Sequence, residues 1–192
     1  NMKNEMVLSQ AVWSGNSVLR GAALVLGGSA LIAVAAQVSI PMFPVPMTLQ
    51  TLAILAVGLT LGARLGAMAL LAYLAEGAAG LPVFANGGAG VAYMMGPTAG
   101  FLVGFVMMAF VAGYASDKGL TRSFIGAGIV SLIASALLYV PGLAYPAAAM
   151  GKTFPELFSG WMLPFVIGDA VKAVLAALIV TGGWAALSRR KA

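Results

Sequence analysis

Two ionisable side chains, Asp169 and Lys172, stand in a stretch with almost no other polarity. They belong to Gly168–Asp169–Ala170–Val171–Lys172, inside the apolar run Trp161–Leu187, where Thr181 at the far end is the other polar group of note. On a helix, residues three apart project from one face about a turn from each other. A charge at the centre of a lipid-embedded helix costs about 2.5–3.5 kcal/mol even on lenient insertion scales. Two opposite charges on one stripe should therefore face the interior of a bundle. They would serve either as a pair that fixes helix packing or as a buried polar site for a ligand. Ionisable groups within a membrane mark functional sites by default, which favours the second reading.

Other polar residues are expected at the same level. Thr48 and Gln50 open a span just after Pro44–Val45–Pro46, Asn86 sits in Leu81–Pro82–Val83–Phe84–Ala85–Asn86–Gly87–Gly88, and Tyr93 follows. Glu76 falls near the outer end of the third span. Phe43, Met47, Phe84, Tyr93, Met94 and Met95 would supply an apolar wall. An apolar cavity with a few converging polar groups is the usual form of a small-molecule site. A plainer role competes for each residue: Thr48 as a cap partnered by Gln50, Asn86 as a turn residue with Gly87, and Glu76 as an interfacial group or a partner for Lys172.

The elements that must position these groups follow from composition. Of 192 residues, 61% are hydrophobic and 8% charged, against about 25% charged in soluble domains. Such a chain cannot cover a water-facing surface and is read as an integral membrane protein. Its length fits a single membrane domain over 1–192, with about six spans of ~20 residues. Cysteine and histidine are both absent. That removes disulfides, the usual zinc and haem ligands, and any Ser-His or Cys-His pair. No metal, cofactor or catalytic residue is expected, and the chain is not read as an enzyme. The net charge of +5 is dispersed along the chain, so no nucleic-acid surface is expected. Asn1 ahead of Met2 is read as an expression remnant.

Charge-free and proline-broken runs place the spans near 20–38, 48–63, 65–80, 98–116, 123–141 and 161–187. Pro41, Pro44 and Pro46 separate the first two, and Gly62–Ala63–Arg64–Leu65–Gly66 forms a tight link between the second and third. Ala33–Val34–Ala35 has the small-residue form of a signal cleavage site, but the polar leader and the long apolar stretch favour a retained span. With both termini cytoplasmic, the inner side holds Lys3, Arg20, Arg64, Lys118, Arg122, Arg189, Arg190 and Lys191, and the outer side only Lys152. That asymmetry is a strong positive-inside bias. The same topology gathers the Gly/Pro/aromatic segments Val38–Met47, Leu81–Pro97 and Pro141–Gly160 outside. Asp169 and Lys172 then lie in the outer half of the last span, beneath those loops.

Two nucleotide motifs fail on inspection. Gly151–Lys152–Thr153 lacks the earlier glycine of a phosphate loop, since Pro146 stands there, and Gly88/Gly90 lack a strand–helix context and a third spaced glycine. Energy for uphill transport would have to come from a partner or an ion gradient. The first span carries Ala22, Ala23, Gly27, Ser29, Ala30, Ala33 and Ala36. Small residues at such spacing let another backbone approach closely, either within the bundle or from a separate subunit.

At Val45–Pro46–Met47–Thr48–Leu49–Gln50–Thr51–Leu52, Gly62–Ala63–Arg64–Leu65–Gly66, Gly80–Leu81–Pro82–Val83–Phe84, Gly96–Pro97–Thr98–Ala99–Gly100–Phe101 and Gly168–Asp169–Ala170–Val171–Lys172, the chain resembles the BioY family. These are the biotin-binding S components of energy-coupling factor (ECF) transporters. The resemblance implies an all-α membrane protein of six helices that captures biotin from outside. It also implies a transmembrane coupling subunit and a pair of cytoplasmic ATPases as partners, besides membrane lipid. Asp169 and Lys172 match the aspartate and lysine of the family's last helix, and Asn86 its loop amide. Ser29 and Ala33 match the docking positions of the first helix. Glu76 stands where the family leads one to expect an apolar residue.

The chemistry of that ligand suits these residues. A ureido ring offers two N–H donors and one carbonyl, so Asp169 can accept while Lys172 or Asn86 donates. Thr48, Gln50 and the backbone amides at Gly87 and Gly88 would take the valerate carboxylate, with Tyr93 and Phe84 beside the apolar part. The rival readings are an S component for riboflavin or thiamin, a stand-alone ion-coupled carrier, and a membrane enzyme using Asp169 and Glu76 as acid and base.

Overall fold

The computed structural model describes residues 7–13, 18–40, 42 and 45–190. Lys3, Pro41, Phe43, Pro44 and Lys191, which enter the sequence argument, lie outside the described residues. Backbone groups in hydrocarbon have no water to bond and must pair within their own segment, so apolar runs there become helices. In chain order the helices are α1 (Leu8–Val12), α2 (Val18–Gln37), α3 (Gln50–Leu61), α4 (Ala63–Ala78), α5 (Gly90–Met94), α6 (Ala99–Asp117), α7 (Phe124–Ala149), α8 (Phe154–Leu157) and α9 (Val166–Arg190). Among the described residues, the six longer ones fall on the six expected runs. Four segments are long and apolar enough to cross a membrane: α2, α6, α7 and the unit that ends in α9. α3 and α4 are shorter, about 18 and 24 Å at the helical rise. One short ladder departs from an all-helical plan. β1 (Ser39–Ile40) pairs antiparallel with β2 (Met47–Thr48), Ser39 opposite Thr48.

The centre of the molecule is α6, the most buried of the long helices, packed against α3, α4 and α7. The tight α3–α4 link is held from α6. Gly62 has φ +88°, a conformation reserved largely for glycine, and Asp117 Oδ2 accepts from the Ala63 backbone N–H at 3.0 Å. Asp117 thus caps α4 across the fold rather than along the chain, while Arg64 beside it is exposed. On the other side of α6, Gly100 admits the α7 backbone: a Cβ there would lie 2.0 Å from the Pro141 carbonyl oxygen.

Two expected boundaries are corrected. The fifth span does not end near Pro141, because α7 runs through both Pro141 and Pro146 to Ala149. A proline forfeits one backbone bond and crowds the turn before it, yet ending a helix in lipid would strand a whole turn of polar groups. The expected outer loop Pro141–Gly160 is shortened accordingly. In the last run, in contrast, the helical unit begins already at Phe154 but becomes regular α-helix only after Trp161. A wide π turn over Phe158–Met162 and a 3-10 turn over Leu163–Phe165, with Pro164 inside it, precede α9. Asp169 therefore sits in the first turn of α9.

Candidate functional site

Asp169 stands in the first regular α turn after the π and 3-10 turns. The Tyr139 hydroxyl, from α7, donates to Asp169 Oδ2. One turn along α9, Lys172 Nζ donates to the Thr48 backbone carbonyl at 2.7 Å, tying the end of β2 to a residue 124 positions away. Among the described residues the two opposite charges form no ion pair with each other; each turns to a neutral partner. Both line one cavity, which is open at its mouth.

Thr48, Gln50 and Tyr93 line the same cavity, as the sequence leads one to expect. Their polar atoms are largely committed to the protein. Thr48 Oγ1 accepts from the Gln50 backbone N–H at 3.1 Å, Gln50 Nε2 donates to the Tyr73 hydroxyl at 2.6 Å, and Tyr73 donates to the Val83 carbonyl at 2.8 Å. Gln50 is thus a strut from the cavity wall to the loop after α4. The Thr51 hydroxyl, also on the wall, is buried and has no hydrogen-bond partner among the described residues. Apolar cover comes from Phe101, Phe105, Leu138 and Phe165, with Val45 and Pro46 contributed by the segment before β2.

Several expected site residues take other positions. Asn86 is exposed and off the cavity wall. It adopts a left-handed turn conformation at φ 56°, and its Oδ1 accepts from Ser39 Oγ at 2.5 Å. A short polar side chain tolerates that conformation, so the turn role describes Asn86 here. Gly87 donates its N–H to Gln37 Oε1 at 2.8 Å instead of facing the cavity. Gly88 lies behind Tyr93, where a Cβ would meet the ring at 2.6 Å. Phe84 is fully buried, stacked on Tyr93 with 4.9 Å between centroids and edge-on to Tyr73. Of the other expected wall residues, Met95 is 72% exposed, Met94 lines a separate groove with Gly100 and Pro141, and Met47 packs near Gly168.

Glu76 and Ser29 answer each other. Ser29 Oγ lies 2.8 Å from Glu76 Oε1, joining α2 to α4. Glu76 is therefore not the partner of Lys172. Ser29, only 1% exposed, is turned inward and does not face a separate subunit, and Ala33 is half-buried. A polar side chain in hydrocarbon gains by finding a partner, and that decides which face of α2 turns in. The outward stripe is Ala23, Gly27, Ala30 and Val34, all exposed.

Sequence reasoning missed Tyr139, Tyr73, Gln37 and the aromatic cover from α6. Tyr139 carried a signal, a phenol within a span that has no charged residue. Gln37 carried one too, as the amide that ends the first apolar run. It donates to the Phe84 carbonyl at 2.9 Å while accepting from Gly87, so it fastens both sides of the loop turn to α2.

The bundle and its mixed apolar and charged cavity define a helical membrane protein with an internal polar cavity. The model of the BioY family matches residues 3–189. The biotin transporter BioY of Rhizobium etli is 43% identical over 151 residues, 74% of this chain and 79% of its own. The probable biotin transporter BioY of Pyrococcus horikoshii is 37% identical over 150 residues, covering 78% and 87%. A crystal structure of the S-component for biotin from an ECF-type ABC transporter superposes with a TM-score of 0.78 at 26% identity, covering 94% of this chain and 95% of that one. The chain belongs to the BioY family.

Proposed function

We propose that this protein captures biotin and serves as the substrate-binding subunit in its uptake by an ECF-type ABC transporter. The observation that carries this reading is that Asp169 and Lys172 line one cavity while bonding to other partners and not to each other. A neutral cyclic urea completes both. Its N–H donates to the free oxygen of Asp169, and its carbonyl accepts from an ammonium proton that Lys172 does not spend on Thr48. The thiophane and the valeryl chain meet the Phe101, Phe105 and Phe165 surface, and the valerate end lies toward Thr48 and Thr51. Asn86 acts through the loop turn rather than on the ring. Binding of this kind requires no cofactor and no bond-making step.

The topology that suits this role has six spans in a prokaryotic plasma membrane, with both termini cytoplasmic and the cavity opening outward. The eight-to-one distribution of basic residues supports it. The small outward stripe of α2 is the face on which the coupling subunit of an ECF module would pack, with cytoplasmic ATPases supplying the energy. The names of the relatives support biotin as the ligand and the ECF module as the partner.

Isothermal titration of the purified protein with biotin, beside Asp169→Asn, tests the site. Loss of a hydrogen bond to a charged group, about 1.5–3 kcal/mol, weakens binding at least tenfold. Equal affinity in the variant removes Asp169 from the site, and a different vitamin found copurified by mass spectrometry replaces biotin as the ligand.

A further inference from the structure

Tyr139 is a wall residue of the cavity whose orientation is fixed from behind. Its ring stands edge-on to Phe101, 6.1 Å between centroids and 88° between planes, and Phe101 in turn stacks on Trp161 at 6.5 Å. Phe101 can take that place because Gly142, one turn from Tyr139 on α7, has no side chain. A Cβ at Gly142 would lie 2.7 Å from Phe101 Cε1. The phenol is thereby aimed at α9, where its hydroxyl donates to Asp169 Oδ2.

We propose that Tyr139 is a positioning residue that sets the ligand selectivity of Asp169: by donating to Oδ2 it holds that oxygen toward α7 and takes up part of its capacity to accept, so that the carboxylate is a poorer bidentate partner for the ligand. This inference rests on the reading above, in which Asp169 takes an N–H of a cyclic urea. A carboxylate with both oxygens free pairs best with a planar cation that presents two parallel N–H groups. With Oδ2 held toward α7 and Lys172 nearby on the same wall, such a cation loses the fork geometry of its two N–H groups and meets an ammonium group. A neutral urea finds one acceptor and one donor. Tyr139 therefore turns a site that would favour a guanidinium into one that favours a urea. Selectivity arises from the partner withheld from the wrong ligand as much as from the contact offered to the right one.

The test compares biotin with its cyclic guanidinium analogue, 2-iminobiotin, by titration against the native chain, Tyr139→Phe, Asp169→Asn and the double variant. Thermal unfolding of each variant in detergent checks its fold. In Tyr139→Phe the ratio of the two affinities shifts toward the guanidinium by about tenfold, the worth of one charge-assisted hydrogen bond. The shift disappears in the Asp169→Asn background, because the phenol acts through that carboxylate. A purely structural role would weaken both ligands alike and leave the ratio unmoved. An unchanged ratio, or the same shift persisting without the carboxylate, overturns the inference while leaving biotin capture intact. Absence of biotin binding by the native chain overturns the transport reading and this inference with it. Should Tyr139→Phe fail to fold, Tyr139→Met, which also lacks the hydroxyl, carries the test: the ratio moves in the same direction, and an unmoved ratio there is again a refutation.

Discussion

Lys172 has two separable tasks, and a pair of substitutions pulls them apart. Its ammonium has three N–H groups. One holds the Thr48 carbonyl at 2.7 Å, at the end of the β1–β2 ladder, and the side chain lines the cavity, which leaves two for other partners. Lys172→Met removes all three and leaves Asp169 without a compensating cation nearby. A hydrogen bond to a charged group contributes about 1.5–3 kcal/mol, so biotin affinity should fall by roughly ten- to 150-fold. The Thr48 carbonyl also loses its tether, and amide hydrogen exchange across 39–49 should quicken as the ladder opens. Lys172→Gln retains a donor for Thr48 but no charge. It should restore much of the exchange protection and little of the affinity. Titration calorimetry and exchange mass spectrometry on the protein in nanodiscs read the two effects independently. Native affinity in Lys172→Met would show that the lysine does not touch ligand, and unchanged exchange across 39–49 would show that its bond to Thr48 holds nothing in place.

Three further outcomes follow from the packing. Gly100→Ala forces a Cβ to within 2.0 Å of the Pro141 carbonyl oxygen, an overpacking of about 1–3 kcal/mol; it should lower the midpoint of thermal unfolding and weaken ligand binding through the neighbouring Phe101. Asp117→Ala deprives α4 of its cap, a loss of about 0.5–2 kcal/mol, seen as a lower unfolding midpoint with ligand affinity retained. At the start of α8, Thr153 and Glu156 form a reciprocal capping box; Thr153→Ala removes the hydroxyl half of it, so amide exchange at α8 should quicken at a fixed pH.

The sequence by itself determined the solvent and the plan. A chain with so few charges belongs in lipid, lipid requires helices, and proline and glycine breaks between apolar runs located all six long ones. It also determined that Asp169 and Lys172 share a face, because three residues on a helix permit little else. What pairs with what came only from the tertiary structure. Nothing local says that Lys172 reaches Thr48, that Tyr139 rather than Lys172 answers Asp169, or that Ser29 turns inward to Glu76. Those choices depend on which helix faces meet, and a side chain in a bundle takes whichever partner the neighbouring backbone brings within hydrogen-bond distance. Asn86 shows the same limit from the other side. Its residue type suits both a turn and a ligand, and only the left-handed turn beside Ser39 assigns it to the loop. The prolines of α7 misled for a related reason: they break helices in water, where freed backbone groups can be hydrated, but not where the surrounding bundle and lipid leave no better arrangement.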